Sequence, residues 1–169
     1  IARSPELSGL DGKALLVVAV SAHGRAAASV RSLLNVAAGV VVAGVRRSAE
    51  IALRPRFFLE GDPSRRLGTL VHELLHLDPR SPGTLLDERR HDVRGHDEHE
   101  AEAQAIAERW LERADLSLLA PLGHEGEVLV RQWRIRPVPE TFRDHFGDDD
   151  VYSAPVVMKT PRERRTVWW

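Results

Sequence analysis

Some segments of the chain have apolar side chains at the spacing of a strand, and others have them at the spacing of a helix. Continuous or alternating apolar positions predict strands at residues 40–45, 50–59 and 151–159, and either a strand or an amphipathic segment at residues 128–135. Apolar residues three and four positions apart predict three helices, over residues 26–38, 63–78 and 97–114. The run at residues 14–20 fits either a buried strand or the start of a buried helix, because periodicity does not separate the two. Together these elements predict a small α+β domain.

The predicted strand at residues 50–59 contains a proline, which restricts its position in a sheet. Ile51, Leu53 and Phe57 alternate with polar or small neighbours around Pro55. Proline has no amide hydrogen to donate to a neighbouring strand, so the pattern predicts an edge strand. An extended peptide can pair with an open edge, and we therefore expect a substrate to lie along residues 54–59.

The helix over residues 63–78 has the clearest ends in the chain. Asp62 is a typical N-cap and Pro63 a typical first helical residue, while Pro79 prevents the helix from continuing. Gly68 costs about 1 kcal/mol relative to alanine in a helix interior, which predicts that another element packs closely against it. We expect a short sheet and the following helix to pack on this helix.

The same helix contains the sequence His72-Glu73-Leu74-Leu75-His76. Residues four apart lie one turn apart on one helix face, so both imidazoles can reach a single metal ion. Glu73 then lies where a catalytic water would be activated. The surrounding positions are aliphatic, and burying these polar groups without a partner would be costly. The stretch therefore predicts a zinc site, with His72 and His76 as ligands and Glu73 as a catalytic residue.

Composition and charge narrow the remaining possibilities. The 169 residues predict one domain over residues 1–159, followed by a basic tail at 160–169 that ends in two tryptophans. The chain has no cysteine, so a metal must be held by histidine and carboxylate, and we expect a cytoplasmic protein. The apolar segment at residues 14–22 is too short to span a membrane. A net charge of −1 argues against nucleic acid as the main partner. The sequence carries no indication of oligomeric state.

A catalytic zinc ion usually has three protein ligands, so a third must come from another segment. Ligand-type residues gather after the predicted loop at residues 78–96; they are His91, Asp92, His96, His99, Glu100 and Glu102. We favour Glu100, which lies in the first turn of the next helix, where antiparallel packing returns the chain to the metal. His96 and His91 are the alternatives. Glu100 could instead form a capping box with Asp97. His99 and Glu102 are expected to point to other, solvated faces if Glu100 faces the metal.

The sequence also resembles a known family. The pairing of VHELLH at residues 71–76 with EAEAQAIA at residues 100–107 resembles the ImmA/IrrE-like zinc metallopeptidases, whose second helix carries a Glu-x-Glu-Ala-Asn-x-Phe-Ala pattern. The resemblance covers about residues 51–111 and implies a zincin-like fold of the gluzincin type, with Glu100 as zinc ligand. It also implies a supporting position beside the ligands for Gln104, where the family has asparagine; Ile106 replaces the aromatic residue. The HExxH segment is similar as well to SprT-like and predicted phage-type metallopeptidases, which implies a histidine ligand, His96 or His91.

These observations predict a zinc metalloendopeptidase that acts on a protein or peptide. Glu73 would take a proton from the attacking water and deliver it to the leaving amine. His124, His145 and Tyr152 are candidates for stabilising the oxyanion, and the sequence does not choose among them. The alternative is a non-catalytic regulatory or protein-interaction module, in which zinc only staples two helices together.

Overall fold

The computed structural model describes residues 5–22, 25–36, 39–87, 96–113, 117, 119–138 and 145–160. It is an α+β structure, as predicted. The strands are β1 (Leu15–Ala19), β2 (Ala28–Ser32), β3 (Val41–Val42), β4 (Val45–Arg46), β5 (Ala49–Leu53), β6 (Gly126–Trp133) and β7 (Val151–Met158). The helices are α1 (Pro55–Glu60), α2 (Pro63–Leu75) and α3 (His96–Arg113). None of the helices in these ranges combines the length and apolar composition needed to cross a membrane.

Helix α2 packs on a three-stranded sheet, and the order of the strands shows which of them lie at an edge. The order is β1-β5-β2, with β1 parallel and β2 antiparallel to β5. Ile51 and Leu53 of β5 belong to the same core cluster as Val71 and Leu74 of α2. The sheet therefore packs on α2, as expected, and β2 is the edge strand on the side of the helices.

Two predictions are wrong, the helix at residues 26–38 and the edge strand at residues 50–59. Within residues 26–38, predicted as a helix, Ala28–Ser32 form β2 instead. Residues 50–59 are a strand only as far as Leu53, because Pro55 is the first residue of α1, a position where its missing amide hydrogen costs nothing. Since residues 55–59 are helical and β5 is the central strand, a substrate cannot pair along residues 54–59, and β2 is the edge strand beside α2.

Short-range signals account for the elements that the sequence predicted correctly. The Asp62 carboxylate accepts the Arg65 amide hydrogen at 2.8 Å and begins α2 as expected, although the helix ends at Leu75, before the predicted residue 78. α3 lies within one residue of its predicted bounds, β7 corresponds to a predicted strand, and β6 to the segment predicted as a strand or an amphipathic segment. The predicted strand at 40–45 is broken by a two-residue turn in which Ala43 and Gly44 both have positive φ.

A buried carboxylate joins the sheet to the β6–β7 hairpin. Glu50 of β5 is fully buried and accepts hydrogen bonds from Arg31 of β2 at 2.8 and 3.1 Å. Trp133 donates to the same carboxylate at 2.7 Å, and Arg136 donates at 3.0 Å. Burial alone would raise the pKa of Glu50, but Arg31 and Arg136 outweigh it and lower the pKa below its ordinary value of 4.5. Glu50 is therefore ionised in the folded protein.

The lowered pKa of Glu50 predicts that its contribution to the free energy of unfolding is lost in acid. Because its pKa is lower in the folded chain, its contribution is present above pH 4.5 and is lost as the pH falls through the folded-state pKa. We expect Glu50→Gln to lower the free energy of unfolding by roughly 3–5 kcal/mol at pH 7 and by less below pH 4. Denaturant unfolding from pH 7 to pH 3 measures this, with Glu127→Gln on the exposed part of β6 as control. A loss that did not change with pH would contradict the assignment.

Candidate metal centre

Two imidazoles project from the C-terminal end of α2 toward each other. His72 lies in the last full turn and His76 at the C-cap, so both occupy one face of the helix. Their Nε2 atoms are 3.4 Å apart. Two nitrogen ligands of a tetrahedral zinc ion, each about 2.0–2.1 Å from the metal, are separated by about 3.3 Å. The pair therefore has the spacing that a shared tetrahedral ion requires.

The third member of the cluster is His99, from the first turns of α3. Its ring centroid lies 4.4 Å from that of His72 and 4.5 Å from that of His76. One nitrogen of each of the three side chains lies within 4.8 Å of the others. The Nε2 atom of His99 lies 3.4 Å from the backbone carbonyl oxygen of His72, which orients the ring. Three imidazoles from two helices could therefore hold one metal ion.

The expectation that His99 is solvated is wrong, since its side chain is 0% exposed. The physical reason is the rotation of α3 about its own axis. Ala103, Ile106 and Ala107 form the buried face of this helix, and His99 lies on that face one turn earlier. The sequence did contain this signal, because the apolar spacing of α3 extends back to His99 rather than to Glu100.

Glu100 lies beside the cluster at the mouth of the site. Its side chain is 60% exposed, and its Oε2 atom is 3.4 Å from Nδ1 of His72. This places a carboxylate behind one of the imidazoles, a common arrangement that orients a metal-binding histidine. Glu100 as a direct ligand remains a prediction. The side chain of His96 and the whole of His91 lie outside the described residues.

Gln104 contacts the N-terminal half of α2. Its amide nitrogen donates to Ser64 at 3.5 Å and to Glu108 at 3.1 Å. A side-chain carbon placed on Gly68 would lie 2.7 Å from the Gln104 oxygen, which confirms that Gly68 permits close packing. The family resemblance implied that Gln104 supports the metal ligands. Its contacts on α2 are instead with Ser64 and Gly68, one to two turns before His72.

Glu73 is buried next to the histidines and is contacted by the edge strand. Burial raises the pKa of Glu73 to about 7, against the opposing effects of a hydrogen bond from the Val30 backbone amide and the charge of Arg54. The charge of Glu100 raises it further. A cation held by the neighbouring imidazoles would favour the ionised carboxylate. Glu73 is thus held in position by β2, in the same groove as His72 and His76.

A groove of about 710 Å³ runs past this site, between β2 and α2. His72, Glu73, His76 and Glu100 line it, and so do residues 25–30. β2 hydrogen-bonds to β5 through alternate residues, so the backbone groups of Ala28 and Val30 point away from β5. The open edge of β2 therefore faces the groove.

The three residues considered for the oxyanion are not among those that line the groove. Tyr152 lies on the β6–β7 hairpin, where its hydroxyl donates to Gln132 at 3.1 Å. His124 and His145 are exposed. The cations that do line the groove are Arg25, Arg56 and Arg65, which belong to none of the sequence motifs.

Comparison with known proteins identifies no relative: no protein-family model, no curated protein and no solved structure matches this chain. The resemblance to ImmA/IrrE-like and SprT-like metallopeptidases therefore rests on the two motifs alone and remains a prediction. The function must be inferred from the geometry of the site.

Proposed function

We propose that this protein is a zinc-dependent metallopeptidase that cleaves peptide bonds in the groove between β2 and α2. The observation that carries the proposal is the buried Glu73 carboxylate beside the cluster of His72, His76 and His99, in a groove open to solvent. Neutral imidazoles without thiolates form a ligand set that suits zinc. The three histidines would hold the ion and leave a fourth position open.

A zinc ion held there supplies a Lewis acid, which lowers the pKa of a water molecule and polarises a carbonyl group. The Glu73 carboxylate accepts a proton from the attacking water as its oxygen bonds to the scissile carbonyl carbon. Glu73 then delivers that proton to the leaving nitrogen as the carbon–nitrogen bond breaks. The Val30 amide keeps the carboxylate in place through this transfer.

The edge of β2 supports a peptide as the substrate. Residues 25–30, which include the first part of β2, line the groove together with the histidines, so an extended chain in the groove could run along this strand as an added strand runs along a sheet edge. Such pairing holds any peptide by its backbone and leaves its side chains to contact the groove walls. A protein or peptide substrate is therefore favoured over a small molecule.

Removal of the metal tests the proposal directly. We expect the zinc-loaded chain to cleave an unstructured protein such as casein, and dialysis against a chelator to remove essentially all of this activity. Adding back one equivalent of zinc should restore it, whereas magnesium, which prefers oxygen ligands, should not. Activity that survived complete removal of zinc, as measured by elemental analysis, would refute the proposal.

One observation favours the second candidate, a non-catalytic zinc-stapled module for regulation or protein interaction. Glu100 lines the same groove as His72, and its exposed side chain could rotate from Nδ1 of His72 toward the metal-facing nitrogens, serve as a fourth ligand and close the site. A closed tetrahedral site has no position for a hydroxamate ligand, while an open site binds it. Titration of the cobalt-loaded protein with acetohydroxamate, followed by visible absorption, separates the two candidates.

A further inference from the structure

The charges that line the groove are separated along its length. The carboxylates Glu73 and Glu100 lie at the histidine end, while Arg25, Arg56 and Arg65 also line the groove. The whole chain has a net charge of only −1, so this positive region is local and does not reflect a basic protein. The groove has one part suited to a metal and another suited to an anion.

Two of these three arginines have no partner within the described part of the protein. Arg56 donates to Glu60 at 2.6 Å and to the backbone carbonyl of Arg25 at 2.6 Å. The exposed side chains of Arg25 and Arg65 form no hydrogen bond or ion pair with any described residue. Both guanidinium groups are therefore available to a ligand in the groove.

A small recess continues the groove between α1 and α2 and is positively charged as well. It has a volume of about 20 Å³ and is lined by Arg56, Arg65 and Arg66, with Glu60 as its one carboxylate among the described residues. Arg66 is buried, and its guanidinium donates to the carbonyl oxygens of Phe57, Phe58, Leu122 and Lys159. No described carboxylate forms an ion pair with Arg66. The recess has room for about one water-sized group, such as a carboxylate oxygen.

The distance between the two ends of the groove corresponds to a few residues of a bound peptide. Arg65, Thr69 and His72 follow one face of α2, and Arg65 precedes His72 by seven residues. At 1.5 Å per residue, the two lie roughly 10 Å apart along the helix axis. An extended peptide covers this distance in about three residues.

We propose that the groove selects peptides carrying a carboxylate about three residues from the scissile bond, and that Arg25 and Arg65 bind this carboxylate. The inference rests on the proposed peptidase function and names its substrate class. The carboxylate belongs to an aspartate or glutamate side chain or to the C-terminus of the substrate itself. In both cases the same guanidinium–carboxylate hydrogen bonds hold it.

The test uses the zinc-loaded full chain and pairs of fluorogenic peptides that differ only by aspartate or asparagine. The pair is placed at each of four positions on both sides of the cleaved bond, and every peptide is made with a free and an amidated C-terminus. We expect kcat/KM to be roughly tenfold higher for the carboxylate at one position near the third residue. This ratio should fall in high salt, since the guanidinium groups are exposed.

Variants of the arginines identify the group responsible. Arg65→Gln should reduce the aspartate-to-asparagine ratio toward one, and Arg65→Glu should reverse it in favour of a lysine peptide. Arg131→Gln, an exposed arginine on β6 away from the groove, should keep the wild-type ratio. Fluorescence anisotropy of the same peptides bound to Glu73→Gln provides a second readout that does not depend on cleavage.

The outcomes separate this inference from the proposed function. Equal cleavage of both members of every pair would overturn the inference and leave the peptidase intact. Preferential binding of acidic peptides without cleavage by the wild-type chain would support the charge selectivity and refute the peptidase. A preference limited to the free C-terminus would identify the substrate's own carboxylate as the ligand.

Discussion

Replacing Glu73 with glutamine is expected to lower kcat for peptide hydrolysis by roughly 10²–10⁴-fold while zinc remains bound. Glutamine has nearly the same shape as glutamate but cannot accept the proton of the attacking water. The Val30 amide can still donate to the glutamine side-chain oxygen, so the local structure should persist. The measurement is kcat on a fluorogenic peptide, with zinc content determined on the same sample.

The control for this substitution is Glu112→Gln, which removes an exposed carboxylate on α3 outside the residues that line the groove. It should keep full activity. If Glu73→Gln retained wild-type kcat with zinc bound, Glu73 would not be the general base. If the variant lost zinc together with activity, the loss would not be evidence for a proton-transfer role, and Glu73→Asp would then be compared for both properties.

The second large effect is expected at His99, which distinguishes the two candidates for the third ligand. His99→Ala should weaken zinc affinity by more than the roughly 10–100-fold that loss of a carboxylate partner of a ligand causes. Glu100→Gln should fall within that smaller range, because its carboxylate faces Nδ1 of His72 from the mouth of the site. Competition with a chromophoric chelator measures both affinities.

A cysteine substitution keeps this prediction testable if His99→Ala does not fold, since the His99 side chain is fully buried. The chain has no other cysteine, so a thiolate–cobalt charge-transfer band in cobalt-loaded His99→Cys can arise only at position 99. We expect this band for His99→Cys and no such band for Glu100→Cys. The reverse pattern would identify Glu100 as the ligand, as the sequence favours.

Much of α2 and α3 could be predicted because their signals are local. Each of these signals involves only a few neighbouring residues. They are the N-cap Asp62, the first-turn proline Pro63, and the four-residue spacing of His72 and His76. The α+β class followed in the same way from the mixed periods of apolar residues. The stretch at residues 26–38 was predicted wrongly, because its apolar spacing also fits a helix. Pairing with β5, including the contact of Arg31 with buried Glu50, forms a strand there instead.

The proline at position 55 shows how one residue supports two different structures. A missing amide hydrogen is tolerated at a sheet edge and equally at the first position of a helix. The sequence around Pro55 does not separate these two uses. The structure places it in α1, which moves the open edge from β5 to β2 and the expected substrate path with it.

By itself, the sequence determined that His72 and His76 share one helix face with Glu73 beside them, because a helix turn repeats every 3.6 residues whatever surrounds it. Only the tertiary structure decided which residues complete that group. The rotation of α3 against α2 depends on the burial of Ala103, Ile106 and Ala107. That packing turns His99 inward and leaves Glu100 at the mouth, although the two residues are adjacent in the chain.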